Sequence, residues 1–275
     1  MQIKFFLLIF NPTAKPYNKF MKLMTYNIKY ANEKDGENSW SKRKKSLTSL
    51  MQFYAPDIFG LQEALHEQLD YFKEHLPGYS YIGTGRNEDG KGELTPVLYK
   101  TEKFEVLESN TFWLSETPEK YSKGWDAAYP RICTYVLFQE KGTGKKFWHF
   151  NTHLDHRGDK AREESVKLLW QKIEEVNLKN YPVILTGDFN LEPESKSIKY
   201  LSKKLNDSKT ISKEAPFGPD KTFNAYEYNE LPISRIDYIF ISEGVEVSKY
   251  GVLNNSYDQK YPSDHFPVMV QLQIK

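Results

Sequence analysis

Pro182-Val-Ile-Leu-Thr-Gly-Asp-Phe-Asn190 sets an apolar run against an acid and an amide two residues apart. Val183, Ile184 and Leu185 suit a strand buried on both faces, and Gly187 permits a sharp exit from it. Asp188 and Asn190 therefore fall at a strand end, where residues two apart project to one side. An ionised carboxylate only accepts, whereas an amide donates and accepts, so the pair can hold a water and a phosphoryl oxygen together. An Asx-type turn that closes the strand accounts for the same residues. The rest of the chain decides between the two.

The pattern recurs. Lys22 to Tyr30 alternates as a strand does, with Leu23 and Thr25 on one side and Met24, Tyr26 and Ile28 on the other. Asn27 is its odd residue, an amide that needs a use for its polar atoms. Asp57-Ile-Phe-Gly-Leu-Gln-Glu63 is another short apolar strand with a polar end. Its carboxylate either ligates a hard cation or caps the helix beginning near Leu65. Lys146 to Asn151 runs into a cluster of His153, Asp155, His156 and Arg157. In Arg235 to Ile241 the acid Asp237 sits inside the apolar pattern and requires a partner. Ser263-Asp264-His265 precedes the closing strand from Pro267, and Asp237 with His265 could form an acid–imidazole pair.

Between these strands lie helices and loops. A helix capped by Ser41 carries Leu47, Leu50, Met51 and Tyr54 and stops at Pro56. A second carries Leu65, Leu69, Phe72 and Leu76 and is closed by Gly78. Tyr79 to Gly85, Pro96 to Lys100 and Phe104 to Leu107 read as strands, with a polar, Gly-rich loop of architectural character at Asn87 to Glu93. Arg131 to Phe138 and Lys146 to Asn151 form a hairpin about Gly142-Thr-Gly144. An amphipathic helix from Ala161 to Val176 returns the chain to Val183 as a crossover, and a helical stretch follows near Ser195 to Leu205. Thr111 to Tyr129 is long, irregular and aromatic; Trp113 and Trp125 make it a rim of a substrate site or a packed Ω-loop.

The 275 residues allow one large domain or two, and no linker argues for two. Lys and Arg (38) nearly balance Asp and Glu (37), so no global positive field draws in nucleic acid, although a local basic groove is compatible with that balance. A single cysteine, Cys133, excludes an internal disulfide and a Cys-rich zinc site, and its strand context predicts a buried, inert thiol. No run reaches the roughly 18 apolar residues of a membrane span. Residues 1–20 read as a mis-assigned start or poorly ordered extension ahead of Met21, which predicts a cytoplasmic protein. The alternative is a weak export signal built on Ile3 to Phe10.

Taken in order, Thr25-Tyr-Asn27, Leu61-Gln-Glu63, Asn151-Thr-His153-Leu, Gly187-Asp188-Phe-Asn190, Arg235-Ile-Asp237-Tyr and Ser263-Asp264-His265 resemble the endonuclease/exonuclease/phosphatase (DNase I-like) superfamily over about residues 22–274. Thr-Phe-Trp-Leu-Ser-Glu and Lys-Gly-Trp-Asp-Ala-Ala-x-Pro-Arg resemble a bacterial branch related to its deadenylase side. The resemblance implies one α/β catalytic domain over residues 21–275, a four-layer α/β sandwich in which helices flank two mixed β-sheets, with the site at strand ends. It implies a Mg²⁺-dependent phosphoester hydrolase, with Mn²⁺ able to substitute. Glu63 would bind the metal, helped by Asn27 and Asp264; Asp188 would deprotonate the attacking water, and Asn190 would hold that water or a phosphoryl oxygen. His265, aligned by Asp237, would bond the phosphoryl group, with His153 opposite. Arg131 matches a phosphate contact of some members.

The ester stays open. A nuclease needs a groove tracking several phosphates along nucleic acid. A phosphodiesterase or phosphatase of a small molecule, sugar or lipid needs a closed pocket, to which Trp113, Trp125, Asp155, His156 and Arg157 would contribute. The intact catalytic set argues against a catalytically dead binding module, and no obligate protein partner is evident, so a monomer is expected.

Overall fold

The computed structural model describes residues 20–275; the reading of residues 1–20 as an extension or export signal falls, but for its last residue, outside them. In chain order the elements are β1 (Met21–Asn27), α1 (Trp40–Tyr54), β2 (Ile58–Gln62), α2 (His66–His75), β3 (Tyr79–Ile82), β4 (Val97–Lys100), β5 (Phe104–Trp113), β6 (Ile132–Glu140), β7 (Lys146–His153), α3 (Asp159–Val176), β8 (Val183–Asp188), α4 (Lys196–Leu201), β9 (Asn206–Asp207), α5 (Ser208–Ile211), β10 (Asp237–Ile241), β11 (Val245–Val252) and β12 (Val268–Ile274). They build two six-stranded sheets, ordered β11-β12-β1-β2-β4-β3 and β5-β6-β7-β8-β10-β9. Both sheets are mixed: β1 runs parallel to β2 and β7 parallel to β8, while their other neighbours are antiparallel.

The alternation in β1 has a direct physical reading. Leu23 faces the other sheet and packs in a core with Ile58, Val136, Ile184 and Ile239, whereas Met24, Tyr26 and Ile28 face α1 and α2. The second sheet repeats the arrangement, with Ile184 turned inward and Val183 and Leu185 packed against α3 and α4. Each central strand therefore buries both faces, which is why these segments are apolar throughout rather than alternately polar. Helix, sheet, sheet and helix form four layers.

Local departures from the expected elements have local causes. β5 continues from Leu107 to Trp113 because β6 is long enough to pair with it across a bulge at Val106/Glu108, so Thr111 to Trp113 belong to a strand and not to the following loop. α1 begins two residues earlier than a Ser41 cap implies, with Ser39 at the cap position; the Ser41 amide and hydroxyl are taken instead by the carboxylate of Glu33. α2 is capped by Gln68, whose side chain accepts from the Leu65 amide, so Glu63 is free of a capping duty. The start of α3 is capped from a distance by Asp126, which accepts from Ala161 N at 2.7 Å. After Leu201 the helical stretch expected to reach Leu205 becomes turns. Cys133 is buried, and burial pushes its thiol well above its ordinary range.

Candidate active site

Strands β1, β2, β7 and β8 end at one edge of the two sheets, and their terminal polar residues converge there. Asn27 closes β1, Glu63 follows β2, His153 closes β7 and Asp188 closes β8. The β10 register sets Asp237 opposite Asp188, and His265 lies just before β12. Two turns aim the donors: Glu63 and Asn190 adopt left-handed backbone with φ of 58° and 50°. Such backbone is uncommon for non-glycine residues and is associated with functional sites.

The side chains form one network. Asn27 Nδ2 lies 3.0 Å from Asp188 Oδ2, 3.2 Å from Glu63 Oε1 and 3.5 Å from His265 Nε2. Asn27 thus serves as donor to both carboxylates, and ligation of a cation through its oxygen requires the amide to turn. His265 Nδ1 and Asp237 Oδ2 are 2.9 Å apart, which realises the acid–imidazole pair, while His265 Nε2 stands 3.7 Å from Asp188 Oδ2. His153 Nε2 is 3.5 Å from the same Asp188 oxygen and 3.2 Å from Asn190 Nδ2. The Asn190 amide N–H donates to Asp188 Oδ1 at 2.9 Å. Asp188 is therefore approached on both oxygens.

Burial and neighbours set the charges. Burial and the like charge of Asp237 push the Asp188 carboxyl up to about 7, although His265 and the bonds from Asn27 and Asn190 oppose them. Burial works against a charged His265, but Asp237 and Asp188 overcome it and raise its pKa to about 10. For His153 burial dominates, and the positive charges of Arg131, His265 and Arg86 add to it, holding the ring well below the usual imidazole range, hence neutral at pH 7. Burial would raise the Glu63 carboxyl, but Lys29, Asn27 and His265 keep it below its ordinary value.

Two groups of residues deserve comparison as cation holders. Asp188, Asp237 and His265 bring three ligand atoms within 4.8 Å. Asp237 is fully buried and already hydrogen-bonded to His265, so this trio reads better as a relay than as an open cage. Glu63 and Asp264 instead face the cavity, and the ammonium of Lys29 lies between them, 3.8 Å and 3.6 Å from their oxygens. A positive charge is thus accommodated between two hard oxygen donors, which is the donor chemistry that Mg²⁺ and Mn²⁺ prefer.

The cluster opens into a cavity of about 800 Å³. Of the further residues singled out in the sequence, Arg131 and His156 line it, with Arg131 Nη2 3.0 Å from His156 Nδ1. Asp155, Arg157, Trp113 and Trp125 do not. Asp155 is buried behind the wall, accepting from the amides of Ala128, Arg157 and Gly158, so its work is to fix a loop. Trp113 Nε1 donates to the Arg86 carbonyl, a support for the wall and not its surface. The wall also contains Arg86, Glu93, Tyr129, Phe223 and Ile233, which the sequence reading did not single out. The loop taken as architectural supplies Glu93, and its neighbour supplies Arg86; the available signal was an Arg and a Glu flanking a Gly-rich turn.

Acid, amide and imidazole side chains thus meet at the strand ends of two packed mixed sheets. The chain belongs to the endonuclease/exonuclease/phosphatase family, whose model matches residues 24–265 and whose members hydrolyse phosphoesters. It is 42% identical to a mannosyl-6-phosphatase of Bacteroides thetaiotaomicron VPI-5482, with a TM-score of 0.88 over 92% of this chain and 99% of that one. A family protein from Bacteroides vulgatus is 35% identical, with a TM-score of 0.88 over 94% of this chain and all (100%) of that one. An uncharacterised protein of Acanthamoeba polyphaga mimivirus is 28% identical over 84% of this chain and 91% of its own length. The catalytic domain of human Nocturnin, 22% identical with a TM-score of 0.74 over 94% of each chain, shares the fold. Among the described residues no helix is long and apolar enough to cross a membrane.

Proposed function

We propose that this protein is a divalent-cation-dependent phosphomonoesterase that removes phosphate from a phosphorylated sugar. One observation carries the choice of ester. Among the described residues, each of the three Lys and Arg side chains lining the cavity is paired with a carboxylate: Lys29 with Glu63 and Asp264, Arg86 with Glu93, and Arg131 with Asp155. A nuclease tracks successive phosphates with free cations. Here the wall beyond the catalytic cluster offers neutralised ion pairs beside Tyr129, Phe223 and Ile233, a surface for an uncharged, hydroxyl-bearing leaving group. The similarity to a mannosyl-6-phosphatase supports the same reading.

Glu63 and Asp264, with Asn27 once its amide turns, would hold Mg²⁺ or Mn²⁺, which when bound offsets charge on the phosphoryl and leaving oxygens. Asp188, poised near neutral pH, takes a proton from the attacking water, and Asn190 fixes the carboxylate that does so. His265 is held protonated by Asp237 and donates to a phosphoryl oxygen, so charge developing there meets a fixed cation. Neutral His153, oriented by Asn190, supplies a second polar contact from the opposite side.

The test incubates the protein and Mg²⁺ with mannose 6-phosphate, glucose 6-phosphate and end-labelled RNA and DNA oligonucleotides, with Asp188→Asn as the contamination control. Inorganic phosphate from the sugar esters, abolished by EDTA, is the expected result. A product ladder from the oligonucleotides without phosphate release from the sugars overturns the choice of ester, and activity that survives EDTA overturns the cation's part.

A further inference from the structure

We propose that Arg86 and Glu93 form a hydroxyl clamp that determines specificity by holding the sugar portion of the substrate; the inference rests on the phosphomonoesterase reading. The two residues flank a tight hairpin. Arg86 N donates to Glu93 O at 3.0 Å, Asn87 N to Lys91 O at 3.0 Å, and Gly85 bridges to Leu94, so Arg86 and Glu93 are set opposite each other. Their side chains meet in two parallel contacts, Nη1 to Oε2 at 2.9 Å and Nη2 to Oε1 at 2.8 Å. Both are largely buried, 14% and 19% exposed, yet both line the cavity that holds Glu63 and Asp188.

The pair is braced from behind. Trp113 Nε1 fixes the Arg86 carbonyl at 2.8 Å, and the Arg86 guanidinium carbon lies 4.8 Å from the centre of the Tyr129 ring. Tyr129 stacks on His156, with ring centroids 6.1 Å apart and planes inclined by 20°, and His156 is tied to Arg131. Such bracing lowers the ordering cost of binding and favours precise recognition.

The chemistry of the pair selects its ligand. A guanidinium engaged on two sides by one carboxylate keeps further N–H donors, and each carboxylate oxygen keeps an unused lone pair. Donors and acceptors then stand side by side, the complement of neighbouring hydroxyls, each of which both donates and accepts. A second phosphate offers acceptors alone and meets the negative charge of Glu93. Tyr129, half-exposed at 50%, offers apolar surface beside the pair for the C–H groups of a sugar ring.

The experiment compares wild type, Glu93→Gln and Arg86→Lys on mannose 6-phosphate, on its deoxy analogues and on p-nitrophenyl phosphate, with a melting curve for each protein. The ratio of kcat/KM for the sugar ester to that for the aryl ester is expected to fall about 10- to 100-fold in Glu93→Gln, the scale of a lost charged hydrogen bond. At least one deoxy analogue should be poor for wild type yet no poorer than the parent sugar for the variant. Should Glu93→Gln fail to fold, Arg86→Lys, which keeps the charge but not the fork, must show the same collapse of discrimination. Equal losses on the two esters, or undiminished preference for the hydroxylated sugar, overturn the clamp while leaving the phosphatase standing. A wild type inactive on every monoester overturns the function reading, and the clamp falls with it.

Discussion

Asp237 affects two titrations at once, because its carboxylate bonds His265 and also repels charge on Asp188. Removing it in Asp237→Asn deletes the anion that keeps His265 protonated, so the His265 pKa falls; it also deletes the like charge that raises Asp188, so that pKa falls too. Both limbs of the activity profile are therefore expected to move to lower pH, as read from kcat against pH by phosphate release. A profile that loses height without moving would show that Asp237 acts through shape alone. Asp188→Asn keeps the size of the side chain and one of its two acceptor oxygens but cannot take a proton. Its kcat should drop by about 10²-fold or more, the range for losing a general base, with a smaller change in KM. Turnover near wild type in a purified sample would remove Asp188 from the mechanism.

At the scale of elements, the two sheets are joined by polar groups as well as by apolar packing. Gln62 on β2 donates to Thr25 Oγ1 and to Asn151 Oδ1, and Asn151 on β7 donates to the carbonyl of Leu61 in the opposite sheet and to that of Pro96 just before β4. Gly60 admits this approach, since a Cβ there would lie 2.4 Å from Asn151 Oδ1. The network continues through Thr186 to His149, whose Nε2 is 2.8 Å from Thr186 Oγ1 while its Nδ1 is buried without a partner. Burial accordingly lowers the His149 pKa to about 3. The unfolded chain binds this proton near pH 6.5 and the folded one does not, so stability is lost as pH falls from there toward 3. The loss from this group between pH 7 and pH 5 should be about 2 kcal/mol. Urea unfolding at the two pH values measures it, and His149→Gln should remove that component; an equal loss in the variant would place the acid sensitivity elsewhere. This level also shows what the sequence made legible. Asp188, Asn27, Glu63 and His153 announced themselves because polar residues interrupt apolar strands, and strand ends are local features. The Arg86–Glu93 pair depends on hairpin register, and the placement of Asp155 and Trp113 behind the wall depends on loop packing, neither of which has a periodic signature. β11 escaped notice for a related reason: Val245 to Val252 interleaves Glu246, Ser248 and Lys249 with its apolar residues and carries a bulge between Val247 and Lys249.

For the whole molecule, charge separates the possible esters. The chain carries a formal net charge of +1, and the basic side chains that the described residues place on the cavity wall are matched by acids, so that wall has little with which to condense a polyanion. A protein contacting 6–10 phosphates of a duplex loses roughly 10³- to 10⁵-fold in affinity between 50 and 200 mM salt, through counterion release. A pocket that receives one phosphoryl group among fixed, buried partners is screened far less. The kcat/KM for a sugar phosphate at saturating Mg²⁺ is therefore expected to change by less than about 5-fold over the same range. Steady-state phosphate release across a KCl series measures the slope directly. A decline of several powers of ten would mean that cations outside the cavity wall gather the substrate, and the ester would then have to be sought among nucleic acids.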